Sequence, residues 1–147
     1  MEPVNINAAD VQARRDARIM IYHLVTEREF RAGILETVYR PSGLAEDRFV
    51  HCALEPSVIP VANDHLAEVT EPVLLLAIDP EKLSSETRYE SAAPIEGGGR
   101  SHLSSATVFP HVYGPIDCSA ITGVGVLRRS GDGYAWPEEF VELNAFL

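Results

Sequence analysis

The longest apolar run of the sequence, VLLLAI from Val73 to Ile78, constrains the fold more than any other segment. Its six residues have the length of a β-strand and fall far short of the roughly 20 residues that a helix needs to span a bilayer. The absence of polar residues from the run indicates that both faces of the strand are buried. Asp79 and Pro80 end the run. We therefore expect a central strand that is covered on both sides.

Other segments predict further strands and two helices. The strands are expected in RIMIYHLVT, FVHCAL, TRYES and ITGVGVLRR. Thr26 is expected to cap one helix, with Glu29 completing a capping box, and a second helix is expected from Glu55 to about Ala67. Because strands outnumber helices, the pattern favours an α+β domain with a mixed or antiparallel sheet over a doubly wound parallel sheet.

Length and composition indicate a single globular domain. The chain has 147 residues, of which 46% are apolar, and both values are typical of one folded domain. We divide it into an N-terminal arm (residues 1–17), a domain (18–130) and a C-terminal tail (131–147) that packs on the domain. The first ten residues carry acids and no apolar core, unlike a signal peptide, so we expect a cytoplasmic protein.

Charge and cysteine content narrow the classes of partner. There are 22 acidic and 12 basic residues, and the formal net charge is −10. Routine nucleic-acid binding is not expected, because contacts to phosphates need clustered Lys and Arg. No membrane partner is expected, and the sequence does not set the oligomeric state. Cys52 and Cys118 are too few for a disulfide scaffold and are expected to be reduced and packed.

Three of the five histidines lie in strand-like segments with apolar neighbours: His23, His51 and His111. A buried imidazole needs hydrogen-bond partners, and three of them in separate elements suggest a shared cleft where strand ends converge. Tyr113 lies two residues after His111, so an extended segment places both rings on the same side. Imidazole and phenol groups suit hydrogen bonds to ribose hydroxyls or phosphate oxygens.

The spacing of the candidate ligands argues against a metal site. No histidine pair has the i, i+4 spacing of a zinc site, and there is no Cys-x-x-Cys pair. His51 and Cys52 are adjacent, so on a strand they face opposite ways, which also argues against Cys52 as a nucleophile with a histidine base. The segment EGGGR lacks the Lys-Ser/Thr of a phosphate-binding P-loop. We expect less than stoichiometric zinc.

Six segments, taken in order, resemble the bacterial and plant family called domain of unknown function 952: MIYHLVTEREF, DRFVHCAL, VANDHL, VLLLAIDP, TRYE and FPHVYGPI. The resemblance covers about residues 19–128. This family is similar in strand arrangement to the ADP-ribosyl superfamily, which includes NAD-dependent ADP-ribosyltransferases and RNA 2′-phosphotransferases. The resemblance implies a single ADP-ribosyltransferase-like domain, in which short helices flank a bent, split sheet.

The resemblance also implies roles for individual residues. His23 matches the first-strand histidine that holds the nicotinamide-side ribose in that superfamily. The second motif of the family falls on His51 and the third on His111 and Tyr113. His23, His51 and His111 are therefore candidate catalytic residues. Tyr113 and Arg100, from the long polar loop of residues 91–107, are candidate ligand-binding residues.

Two departures from the family patterns weigh against transferase activity. Ala53 follows the His-Cys pair where family members usually carry a small hydroxyl residue. Transferases often place a Glu in the third motif to stabilise the ribosyl cation, and FPHVYGPI has none. Glu90 and Glu96 lie nearby in sequence, but neither matches the motif.

The function that these residues favour is a cleft for a nucleotide-like ligand, either NAD or a phosphorylated ribose. A divergent transferase of the ADP-ribosyl type is one form of this function, with NAD as the cofactor that the resemblance implies. A non-catalytic module that binds a small ligand or a protein is an alternative. A zinc-dependent hydrolase is another.

Overall fold

The computed structural model describes residues 19–91 and 107–147. Its strands are β1 (Ile21–Thr26), β2 (Ile34–Leu35), β3 (Val38–Tyr39), β4 (Val50–His51), β5 (Val73–Ile78), β6 (Glu86–Ser91), β7 (Val108–Tyr113), β8 (Ile116–Asp117), β9 (Ile121–Val126), β10 (Arg128–Ser130) and β11 (Gly133–Ala135). Its α-helices are α1 (Glu27–Gly33), α2 (Leu44–Asp47), α3 (Glu55–His65) and α4 (Leu143–Phe146), with 3₁₀ turns at Pro80–Lys82 and Cys118–Ala120. The expected N-terminal arm and Arg100 lie outside the described residues.

The central strand predicted from VLLLAI is confirmed. Strand β5 lies between β1 and β9 and pairs antiparallel with both, and all six of its residues are buried. Its side chains alternate between two core clusters: Leu74, Leu76 and Ile78 pack in one, and Val73 and Leu75 pack in the other. Both faces of this strand are therefore covered by apolar side chains.

The remaining described strands form three smaller sheets. Their orders are β2-β3-β8, β4-β7-β6 and β10-β11, and every pairing is antiparallel. The expectation of a single α+β domain with a divided sheet and short helices is confirmed, and the antiparallel form is the one observed. The ADP-ribosyltransferase-like arrangement and the division at residues 18–130 and 131–147 stay predictions.

A side-chain cap marks the start of α1, and α3 is close to the predicted length. The Glu29 backbone N–H donates to Thr26 Oγ1 at 3.3 Å, which caps α1 as predicted. Helix α3 ends at His65, two residues before the expected Ala67, and contains Pro60 in its interior.

Both cysteines are free, as expected, and Cys52 is buried. No helix among residues 19–91 and 107–147 is long and apolar enough to cross a membrane.

Candidate functional site

His23, on β1, is a buried imidazole that uses both of its ring nitrogens. Nδ1 lies 2.7 Å from the carbonyl oxygen of His51, so Nδ1 carries the proton and donates it. Nε2 therefore accepts from the Tyr39 hydroxyl at 3.1 Å. Burial lowers the pKa of His23 from 6.5 to about 4, although the hydrogen bond to the His51 backbone opposes the shift. A neutral ring thus ties β1 to β3 and β4.

A row of three side chains crosses the β4-β7-β6 sheet. His51 on β4 lies directly opposite His111 on β7, and Arg88 on β6 lies directly opposite His111 from the other side. Directly opposed residues project from the same face of a sheet, and the ring centroids of His51 and His111 are 5.6 Å apart. We call His51, His111 and Arg88 the cross-strand row.

Glu90 connects His111 to Tyr113. Its Oε1 lies 2.8 Å from His111 Nδ1 and accepts a hydrogen bond from the Tyr113 hydroxyl at 2.5 Å. The hydrogen bond from Tyr113, followed by that from His111, lowers the pKa of Glu90, and the same contact with Glu90 raises the pKa of Tyr113. Because the carboxylate accepts from Nδ1–H, Nε2 is left as the acceptor nitrogen of neutral His111.

The other two members of the cross-strand row also have carboxylate partners. Asp47 Oδ2 lies 3.0 Å from His51 Nε2, and Glu86 Oε1 accepts from the Arg88 guanidinium at 3.0 Å. The exposure of the two imidazoles differs, because the side chain of His51 is 63% exposed and that of His111 only 10%. Each member of the row is therefore paired with one carboxylate, and only one of the imidazoles is open to solvent.

Phe49 packs between the polar rings of this face. Its ring stacks on that of His111, with centroids 4.0 Å apart and planes 25° apart. The same ring lies 4.6 Å from His51 and 5.3 Å from Tyr113, between centroids. The Arg88 guanidinium covers the Tyr113 ring at 4.4 Å. These ring contacts restrict the rotation of His111, Tyr113 and Arg88.

A cavity of about 240 Å³ adjoins the cross-strand row. Its polar lining residues are His23, Glu29, Tyr39, Ser42, Asp47 and His51, and Phe49 forms part of its wall. Two carboxylates line it, and no Lys or Arg among the described residues does. His111 and Tyr113 do not line the cavity but lie beside it, in contact with Phe49.

The structure thus brings together most of the candidate residues. His51, His111 and Tyr113 lie on one face, whereas His23 lines the cavity and donates to the backbone carbonyl of His51. Arg100 falls outside the described residues. The roles of all five candidates stay predictions.

Several residues of the site were not predicted as site residues, among them Asp47, Phe49, Arg88 and Glu90. For Arg88 and Glu90 the sequence does carry a signal. Charged side chains alternate at positions 86, 88 and 90 of ETRYES, which indicates that these three residues share one face of a strand.

Metal and thiol chemistry find little support in the described residues. Within residues 19–91 and 107–147, no group of three or more His, Cys, Asp or Glu side chains is placed to hold a metal ion. Burial raises the pKa of the Cys52 thiol, so this cysteine is held in its unreactive form.

A protein-family model described as "Protein of unknown function (DUF952)" matches residues 24–124 of the chain. The chain belongs to the DUF952 family. A comparison with curated proteins finds no match. The family membership inferred from the sequence motifs is therefore confirmed, whereas the similarity to the ADP-ribosyl superfamily stays a prediction.

This DUF952 chain is similar in fold to solved structures of the protein CC0527 from Caulobacter crescentus. The crystal structure superposes with a TM-score of 0.61 at 22% sequence identity, and covers 78% of this chain and 91% of that chain. The solution NMR structure of CC0527 gives a TM-score of 0.54 at 23% identity, and covers 88% and 97%. At this identity the comparison shows the fold alone.

Proposed function

We propose that this DUF952 protein binds a nucleotide-like ligand, namely a ribose that carries a phosphate group. The sugar occupies the cavity and the phosphate lies on the cross-strand row. The observation that carries this proposal is the register-matched row of His51, His111 and Arg88 beside the cavity. The guanidinium of Arg88 has further N–H groups beyond the one bound to Glu86, and each imidazole of the row can donate from its second nitrogen when it is protonated, so this face suits phosphate oxygens.

The dimensions of the site fit a ligand with two chemically different ends. Directly opposed strand residues lie roughly 5 Å apart, so the cross-strand row spans about 10 Å. The cavity volume of about 240 Å³ is below the roughly 300–1,000 Å³ of pockets that enclose a whole drug-sized ligand. The cavity therefore holds the sugar, and the rest of the ligand extends over the row.

The charged residues of the site favour the same orientation of the ligand, with the sugar in the cavity and the phosphate on the cross-strand row. Glu29 and Asp47 line the cavity, where carboxylates accept hydrogen bonds from ribose hydroxyls and repel a phosphate. Arg88 and His111 lie outside the cavity, along the row, and His51 lies at the boundary between the two. His23 also lines the cavity, but both of its nitrogens are engaged with protein groups, so it packs against the sugar without donating to it.

Glu90 is the observation that favours a transferase form of this function. The third motif lacks an acid, but pairing between β6 and β7 brings the Glu90 carboxylate to His111 and Tyr113 within that motif. A carboxylate at this position supplies the negative charge that would stabilise a ribosyl cation. A non-catalytic binding module uses the same residues and differs only in the lack of turnover.

Calorimetry with AMP, ADP-ribose and NAD, and with adenosine as the phosphate-free control, tests the proposal. His111→Ala and Arg88→Ala should each weaken binding of AMP by about 1–3 kcal/mol, the cost of losing a charge-assisted hydrogen bond.

The matched control is His65→Ala, since His65 is exposed on α3, away from the site, and should leave binding unchanged. Equal affinity for adenosine and AMP, or binding that is indifferent to His111→Ala and Arg88→Ala, would place the ligand elsewhere.

A further inference from the structure

We propose that the two imidazole–carboxylate pairs, His111–Glu90 and His51–Asp47, act as general base and general acid in the hydrolysis of a phosphodiester on the ribose ligand. The inference rests on the proposed binding function and adds the reaction to it. The observation behind it is that two imidazoles face one another across paired strands, with ring centroids 5.6 Å apart, and that each is held by its own carboxylate.

The spacing of the two rings suits attack at phosphorus. In a displacement at a phosphodiester, the attacking oxygen and the leaving oxygen lie on opposite sides of the phosphorus atom. A phosphate lying across the row, over both rings, would place one oxygen near His51 and one near His111. A general acid or base must come within about 2.6–3.2 Å of the oxygen that it serves, and a centroid separation of 5.6 Å permits this on both sides.

The environments of the two histidines assign their roles. Glu90 holds Nδ1–H of His111, so Nε2 of the neutral ring is the nitrogen that can accept a proton, and the ring is shielded by Phe49. His51 is open to solvent and has Nε2 paired with Asp47, so Nδ1 can exchange its proton with water between turnovers. We assign His111 as the base and His51 as the acid. Glu90 and Asp47 are positioning residues.

The reaction balances without a metal or another co-reactant. Water attacks phosphorus, its oxygen forms the new P–O bond, and its proton passes to His111 Nε2. The P–O bond to the leaving ribose oxygen breaks, and that oxygen takes a proton from Nδ1 of protonated His51. The products are a phosphate monoester and a free hydroxyl, and proton exchange with solvent restores both imidazoles. Arg88, directly opposite His111, lies where it can stabilise the charge on the phosphate oxygens.

The test uses the full chain, with EDTA present, and two substrates that differ in their leaving group. In a nucleoside 2′,3′-cyclic phosphate the leaving oxygen is an alkoxide that needs a proton. In a nucleoside 5′-(p-nitrophenyl phosphate) the leaving p-nitrophenolate needs none. His111→Ala should lower kcat on both substrates by about 10²–10⁴-fold, the usual contribution of a general base.

His51→Ala should lower kcat by a similar factor on the cyclic phosphate and by less than about tenfold on the p-nitrophenyl ester. Glu90→Gln and Asp47→Asn should reproduce the substrate pattern of His111→Ala and His51→Ala, respectively, with smaller losses. His65→Ala is the control and should retain full activity on both substrates.

Four results would overturn the inference. Binding of AMP by calorimetry without turnover of either substrate would leave the proposed binding function intact and show that the site is not catalytic. Turnover that survives both histidine substitutions would assign the activity elsewhere, and turnover that EDTA abolishes would assign it to a metal. Absence of both binding and turnover would refute the proposed function as well.

Discussion

The protonation of His23 should make the stability of the protein depend on pH between about 6.5 and 4. The side chain is 8% exposed, and its pKa is lowered to about 4 from the value of 6.5 that it has in an unfolded chain. In this pH range the unfolded state binds a proton that the folded state does not bind, so acid favours unfolding. Stability from neutral His23 is present above about pH 6.5 and is lost as the pH falls towards 4.

The magnitude follows from the two pKa values. The difference between 6.5 and about 4 corresponds to about 3 kcal/mol of unfolding free energy, reached below pH 4. Between pH 7 and pH 5 the expected loss is about 2 kcal/mol. Urea unfolding at pH 7 and at pH 5, followed by circular dichroism, measures it.

The variant His23→Gln isolates this contribution from other groups that titrate. A Gln amide can donate to the His51 carbonyl and accept from the Tyr39 hydroxyl, as His23 does, but it does not take up a proton. The variant should therefore lose about 2 kcal/mol less than the wild type between pH 7 and pH 5. His65→Gln, at an exposed position, should behave as the wild type. Equal losses in the wild type and His23→Gln would refute the account of His23 as a buried neutral ring.

Three further substitutions or reactions probe the rest of the described structure. Cys52 is buried with a raised thiol pKa, so it should react with a disulfide reagent at about pH 8 only after unfolding in urea. Thr87 Oγ1 is buried without a hydrogen-bond partner among the described residues, so Thr87→Val should raise the free energy of unfolding by about 1 kcal/mol, and a decrease would mean that the hydroxyl is paired. Gly114 has a φ of +152°, and an added Cβ would overlap Ser85, so Gly114→Ala should lower the free energy of unfolding by about 2 kcal/mol or more. Gly43→Ala is the control, because its added Cβ would make only an ordinary contact. It should lower the free energy of unfolding by less than about 0.5 kcal/mol in the same urea assay.

Local patterns were sufficient to predict the elements whose structure is determined locally. The apolar run of β5 and the Thr26 cap of α1 are each contained within a few consecutive residues, and both are confirmed. The β2–β3 hairpin escaped prediction because each of its strands has only two residues and one of them, β3, is completed by pairing with β8, far along the chain. Such short strands leave no periodic signal.

The candidate site was predictable in part for the same reason. The adjacency of His111 and Tyr113 on one face follows from a spacing of two residues in an extended segment. The contact of Glu90 with His111 depends on the register between β6 and β7, in which Glu90 pairs with Phe109. Register is set by long-range pairing, so a single strand does not reveal it. Glu90 therefore lies outside the motif in sequence and reaches it only through the pairing of β6 with β7.

The uncharged central strand β5 makes the protein prone to aggregate when it unfolds. Six consecutive apolar residues without proline or charge are the kind of segment that stacks into intermolecular β-structure once exposed. In the folded chain both of its edges are occupied by β1 and β9, so it is exposed only when one of them detaches. We expect heating to end in precipitation rather than reversible unfolding, slowed by the net charge of −10. The lifetime of the protein in solution is then governed by the rate at which β1 or β9 opens.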